Sequence, residues 1–125
     1  MNITHALQEF GNLNGRPGLH LSAGASVAID LPDLPLTLED NGEELLLMTG
    51  FPAPFLATER LLAMLQACEQ RAARPDEPGL QLGLRGKASD IWVIAALRWP
   101  AQHVSATHLQ RGATQLRRFR EAWAS

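Results

Sequence analysis

Apolar residues recur along this chain with two different periods, and the switches between them divide it into elements. Ile3, Leu7 and Phe10 stand at helical spacing, which predicts a short amphipathic helix over about residues 3–12, ended by Gly11 and Gly15. A helix of that length does not persist without something to pack on. From Ser26 the period becomes two. Val27, Ile29 and Leu31 alternate with Ser26, Ala28 and Asp30; Pro32-Asp33 interrupts, and Leu34, Leu36 and Leu38 alternate again. Asn41-Gly42 predicts a hairpin turn into a strand, Glu44-Leu45-Leu46-Leu47-Met48-Thr49, that stops at Gly50. Pro32 and Pro35 lack an N–H, which assigns them to strand ends or to an edge.

After the rigid Pro52–Pro54 connector, Thr58 is placed to cap a second helix with Glu59 in its first turn, running to about Ala73 before Pro75. Leu61, Met64, Leu65 and Cys68 share one side of it, and Leu62 widens the apolar arc beyond the ~100° stripe of a simple surface helix. Residues 74–79 read as a loop. Leu80, Leu82 and Leu84 then alternate with Gln81, Gly83 and Arg85, and residues 86–89 turn the chain into its most apolar stretch, Ile91-Trp92-Val93-Ile94-Ala95-Ala96-Leu97, closed by Arg98-Trp99-Pro100. As a strand this stretch is apolar on both sides, because successive side chains switch faces. Ile91, Val93, Ala95, Leu97 and Trp99 point one way; Trp92, Ile94 and Ala96 point the other. Two different things must cover it: the core of its own domain and, we expect, a second copy of the chain. Ser105 caps the last helix with Val104 and Leu109 as a hydrophobic staple. Leu109, Ala113, Leu116, Phe119 and Trp123 form the seam of that helix, and Arg111, Arg117, Arg118 and Arg120 lie mostly off it, on an expected solvated face. The order α-β-β-β-α-β-β-α predicts an α+β fold, three helices with an antiparallel sheet of about five strands, as a single domain over residues 1–125.

Composition narrows the function classes. The chain has 125 residues, 46% hydrophobic and 19% charged, as in ordinary globular proteins rather than disordered ones. The net charge of −2 hides an asymmetry: residues 1–70 hold nine Asp/Glu and two Lys/Arg, whereas residues 71–125 hold nine Lys/Arg and four Asp/Glu. A chain so polarised is suited to head-to-tail contacts or to a basic surface near its end. Cys68 is the single cysteine, so there is no intramolecular disulfide, and it falls in a helical apolar pattern as a small core residue does. The first residues lack the charged start and apolar run of a secretion signal, and no apolar run approaches the ~20 residues of a membrane helix; the expected address is the cytoplasm.

Candidate chemistry is sparse. His103 and His108 are five apart, which does not place two ligands on one helix face, and neither His5 nor His20 adds a carboxylate or Cys at metal-like spacing. Glu39, Asp40, Glu43 and Glu44 flank a hairpin tip, where water solvates them and nothing apolar raises a carboxyl pKa for acid–base work. No phosphate cradle, nucleophile elbow or supported Cys–His pair is present. Trp92, Trp99 and Trp123 occupy core-like positions, and with no Tyr and a negative net charge they do not make a nucleic-acid stacking surface. Neither cofactor nor metal is expected. What needs explaining is apolar surplus, and that points to binding rather than catalysis.

The whole pattern resembles the class I type III secretion chaperones, the Tir-chaperone-like proteins of Gram-negative bacteria. The resemblance is carried by Phe10-Gly11 at the end of the first helix, Leu36-x-Leu38 before Asn41-Gly42, and Leu61-Leu62-Ala63-Met64-Leu65-Gln66-Ala67-Cys68. It continues with Leu82-Gly83-Leu84 leading into Ile91-Trp92-Val93-Ile94, and with Leu116-Arg117-Arg118-Phe119-Arg120-Glu121-Ala122-Trp123. Members are typically more acidic than this chain. The resemblance implies a homodimer joined through the second helix and late strands, which holds the N-terminal segment of a secreted effector in extended form and keeps it soluble and secretion-competent. Strand addition with side chains in apolar patches is a physical basis for this. On that basis the effector contacts fall to Phe10, Val27, Ile29, Leu31, Leu36 and Leu38, and the dimer contacts to Leu62, Met64, Leu65, Trp92 and Ile94. Two alternatives stand beside delivery: a regulator of the same fold that sequesters a transcriptional or export component, and a small enzyme without a recognisable motif.

Overall fold

The computed structural model describes residues 3–22, 24–70 and 78–124, apart from the side chain of Gln70. Its elements follow the expected order: α1 (Ile3–Leu13), β1 (Ser26–Leu31), β2 (Leu34–Asp40), β3 (Glu44–Pro52), α2 (Thr58–Gln70), β4 (Gln81–Arg85), β5 (Trp92–Pro100) and α3 (Ala106–Trp123), with a 3-10 turn at Ala88–Asp90 before β5. The strands form one antiparallel sheet in the order β1-β2-β3-β5-β4. The end expected for α2 and most of the loop expected over 74–79 lie outside the described residues.

Every helix meets the same side of that sheet. Ala6, Leu7 and Phe10 of α1, Met64 and Cys68 of α2, and Leu109, Ala113, Leu116 and Phe119 of α3 share one core with Ile29, Leu36, Leu38, Leu45, Leu47, Phe51, Val93, Ala95, Leu97 and Trp99. The strand residues are those of one parity, as the two-residue period requires. Phe51 and Phe119 meet with ring centroids 6.0 Å apart. Trp99 lies against Gly112 so closely that a Cβ there would stand 2.6 Å from the ring. Gly11 works similarly inside α1 rather than at its end. A Cβ there would sit 2.4 Å from the Arg16 carbonyl, where the chain folds back over the helix.

Local chemistry fixes the joints. Pro32-Asp33 forms the two-residue turn between Leu31 and Leu34, with Asp33 at φ 58°, the positive second position of a Pro-led type II turn. At the next turn Asp40 Oδ1 accepts from the Gly42 N–H (2.9 Å) and Asn41 Oδ1 from the N–H groups of Glu43 and Glu44 (3.1 and 2.8 Å). Ser105 caps α3, and His108 completes a capping box by accepting from the Ser105 N–H at 3.1 Å; Val104 and Leu109 are both buried beside it. Thr58 is the first residue of α2 rather than its cap. Two arginines expected to be solvated instead tie α3 to the sheet: Arg117 donates to the Pro32 carbonyl (2.7 Å) and Arg120 to the Gly50 carbonyl (3.0 Å).

The sheet parts internally at Pro35. This residue is the second of β2, so it stands at a strand end as its missing N–H suggested, although the strand itself lies between β1 and β3. Pairing of β2 with β3 stops at Thr37↔Met48, two residues short of Pro35. A proline there cannot donate to the facing strand. The carbonyls the break leaves behind find other donors: the Thr49 hydroxyl donates to the Pro35 carbonyl at 2.6 Å, and Arg120 takes that of Gly50. β3 continues past Gly50 to Pro52 by pairing with β5 alone.

Two substitutions test these joints. Gly112→Val drives a branched side chain into the Trp99 ring and should cost about 1–3 kcal/mol, read as a lower urea midpoint with an unchanged slope. Thr49→Val keeps the shape but leaves the Pro35 carbonyl without its donor, a loss of about 1–3 kcal/mol by the same measurement.

Candidate protein-interaction surface

The sheet's second face is built by the other parity of the same strands. Ladder pairing sets it out in rows: Asp30 beside Pro35, then across the break Gly50, Ile94 and Gly83; Thr37, Met48, Ala96 and Gln81; Glu39, Leu46 and Arg98; Pro52, Trp92 and Arg85. None of these side chains belongs to the core cluster, not even Leu46, which is 8% exposed under its own neighbours. No described helix packs on this side. Trp92 is 44% exposed, and Gly50 makes room beside it: a Cβ at Gly50 would stand 2.8 Å from Ile94 Cδ1 and 3.6 Å from Trp92 Cε3. With β2 and β3 parted at Pro35, the face carries a shallow depression of about 340 Å³ lined by Ala28, Asp30, Pro35, Met48, Gly50, Arg85, Trp92 and Ile94.

Charge on this face is sorted. Asp30 and Glu39 stand on β1 and β2, Arg85 and Arg98 on β4 and β5, and Glu44 on the central strand lies 3.6 Å from Arg98. The acidic first half and basic second half of the sequence thus become two halves of one surface, since β1–β3 precede α2 and β4–β5 follow it.

Apolar surface is exposed elsewhere too. Leu62 and Leu65 stand on the outer side of α2, Leu65 beside a hollow of about 490 Å³ between α2 and β4 that Cys68, Leu80 and Leu82 also line. Phe55, 74% exposed and at φ 53°, forms with Pro54, Leu56, Ala57 and Trp123 the rim of another hollow, of about 500 Å³. There Arg60 donates to the Trp123 carbonyl at 2.6 Å and sets its guanidinium 5.7 Å from the indole centroid.

The residues expected to carry partners therefore separate. Of the dimer set, Trp92 and Ile94 lie on the open sheet face and Leu62 and Leu65 on the outside of α2, whereas Met64 is buried within its own chain. Of the effector set, Phe10, Ile29, Leu31, Leu36 and Leu38 are core residues and Val27 is half-buried. The strand residues among them turn towards the helices by their parity, and Phe10 faces the same core from α1. Sequence reading passed over Met48, Gly50, Asp30 and Arg85, whose place on one face needed the strand order; Phe55 followed two prolines without any periodic signal.

Among the described residues no group of three or more His, Cys, Asp or Glu is close enough to hold a metal ion. His108 works as a cap, and His5 Nε2 lies 2.7 Å from Glu9 on α1. No described helix is long and apolar enough to cross a membrane.

No family model matches the sequence, and no curated protein matches it. Solved structures do resemble the fold. A chain of the HopA1-SchA chaperone-effector complex superposes with a TM-score of 0.72 at 23% identity, covering 95% of this chain and 90% of that one. A chain of the ExoT-SpcS complex from Pseudomonas aeruginosa does so with a TM-score of 0.63 at 14% identity, covering 97% of both. At such identities the likeness speaks for architecture, and it spans nearly the whole chain: the protein shares its fold with these two chains.

Proposed function

We propose that residues 1–125 act as one non-enzymatic unit, a cytoplasmic type III secretion chaperone that works as a homodimer and keeps the N-terminal segment of an effector extended and soluble. The observation that carries this is an apolar sheet face that no described element covers, in a fold shared with a chain of a chaperone-effector complex. Uncovered apolar area of this kind in a globular protein marks a surface for other polypeptides. Trp92 and Ile94 supply the dimer contact, with Leu62 and Leu65 of α2 as further exposed apolar anchors.

The effector's place is the free edge of β1. Asp40 donates to the Ala25 carbonyl on the inner side, while the Asp30 carbonyl accepts from Arg16 at 2.7 Å, so the even-numbered residues of β1 direct their backbone groups outward. An extended segment can add there by main-chain hydrogen bonds. Val27 is the half-buried apolar neighbour of that edge; the remaining apolar side chains of β1 and β2 hold the strands down from behind.

Co-purification from the native host tests delivery: the tagged protein should recover one or a few larger proteins through their N-terminal segments. Recovery of a transcriptional or export regulator instead would replace delivery with sequestration. Ala28→Pro removes an outward N–H without touching the β1–β2 ladder; it should leave the thermal midpoint nearly unchanged and reduce effector recovery at least tenfold. Trp92→Asp should yield a folded monomer by light scattering, because the carboxylate reaches water in one chain but is costly in an apolar contact. A Trp92→Asp variant that stays dimeric would remove β5 from the interface.

A further inference from the structure

We propose that Arg16 closes the far end of the β1 edge, so that an extended segment pairs only beside Ser26 and Ala28 and presents one apolar side chain, set against Val27. This rests on the effector reading above and adds the length and register of the contact.

A sheet edge offers a partner every second residue, because alternate backbone groups face outward. In β1 the inward set is fixed by the turn. Leu31 and Leu34 flank Pro32-Asp33, and from there Ile29 meets Leu36 and Val27 meets Leu38. The outward set is therefore Ser26, Ala28 and Asp30. Among the described residues β2 is the only strand paired with β1. The one side chain that reaches an outward carbonyl there is Arg16, which donates through Nη2 to that of Asp30 at 2.7 Å. A strand added alongside would run ~4.8 Å away and bring its own N–H to the same place. The guanidinium stands where a longer segment would have to continue.

A built loop delivers Arg16 to that point. Its N–H donates to the Gly11 carbonyl at 2.7 Å, and Gly11 has no Cβ to hold the Arg16 carbonyl away. Asn14 is tied through Nδ2 to the Phe10 carbonyl (2.8 Å) and to Gln110 Oε1 on α3 (2.9 Å). The guanidinium also donates through Nη1 to the Gly15 carbonyl at 3.3 Å. With the backbone pinned to α1, less freedom is lost in holding a charge-assisted bond. Charged side chains blunt sheet edges against unwanted pairing; this one blunts only the end at Asp30, ~7 Å along the strand from Ala28.

What stays open defines the partner. A segment added antiparallel sets one residue opposite Ala28 and another, two positions on, opposite Ser26. The residue between them comes opposite Val27. Opposed residues share a side of the sheet, so the middle side chain lies on the helix side against half-buried Val27, and its neighbours lie over exposed Ala28 and Ser26. The edge fits about three extended residues with an apolar centre, in a chain that turns away before Asp30.

Residue-resolved amide exchange on the full chain tests this. The probe is an end-blocked Thr-Val-Thr-Val-Thr-Val-Thr peptide at millimolar concentration, added to wild type and to Arg16→Ala, with urea midpoints confirming that both are folded. In wild type it should slow exchange at Ser26 and Ala28 at least about fivefold and leave Asp30 unchanged. In Arg16→Ala the slowing should extend to Asp30. Equal slowing at all three amides in wild type, or an Asp30 amide still unprotected in Arg16→Ala, would overturn the stop and leave the β1 edge as the docking place. An all-threonine peptide that protects as well would remove Val27 from the contact. No slowing at any of the three amides in either chain would overturn the β1 edge itself, and the stop with it.

Discussion

Three helices share one face of one five-stranded sheet, and most features of the molecule follow from that. A single core forms where α1, α2 and α3 converge, so the strands must turn one apolar parity towards them. The close approaches at Gly11 and Gly112 let chain and helix settle near enough to fill it. The same arrangement leaves the other parity without a covering element. In β5 that parity is Trp92, Ile94 and Ala96, which water does not favour. One-sided packing thus makes a stable small fold and, by the same geometry, an apolar face turned outward.

Pro35 adds shape to that face. A proline in an inner strand breaks the ladder to one neighbour, and the chain stays satisfied because Thr49 and Arg120 occupy the carbonyls so released. The sheet opens into a depression where it would otherwise be flat. Arg120 and Arg117 reach the sheet from α3, so part of the basic character of the last helix is spent on structure rather than on a charged surface for nucleic acid. The proposed chaperone function uses what remains: an outward edge at β1, a sorted open face, and the apolar flank of α2.

The period-two and period-three-to-four patterns were enough to set element order, and they showed that Ile91 to Trp99 needs covering on both sides. They also placed Ser105 and its staple. The patterns did not separate core from interface among equally apolar residues. Met64 and Leu65 both fall in the wide apolar arc of α2, yet one is sealed and the other exposed, because which part of that arc is covered depends on the elements packed against it. Ile29 and Leu31 of β1 and Leu36 and Leu38 of β2 lie on the face that the helices cover.

Sequence by itself determined the α+β order, the apolar surplus and the unequal charge of the two halves, since these depend on spacing and composition along one chain. Tertiary structure alone decided that all three helices take the same side, that Pro35 stands inside the sheet, and that Asp30 and Arg85 lie on one surface. Each of those is a relation between residues far apart in the chain, fixed by how the strands order themselves: β5 slips between β3 and β4. No local pattern records that choice.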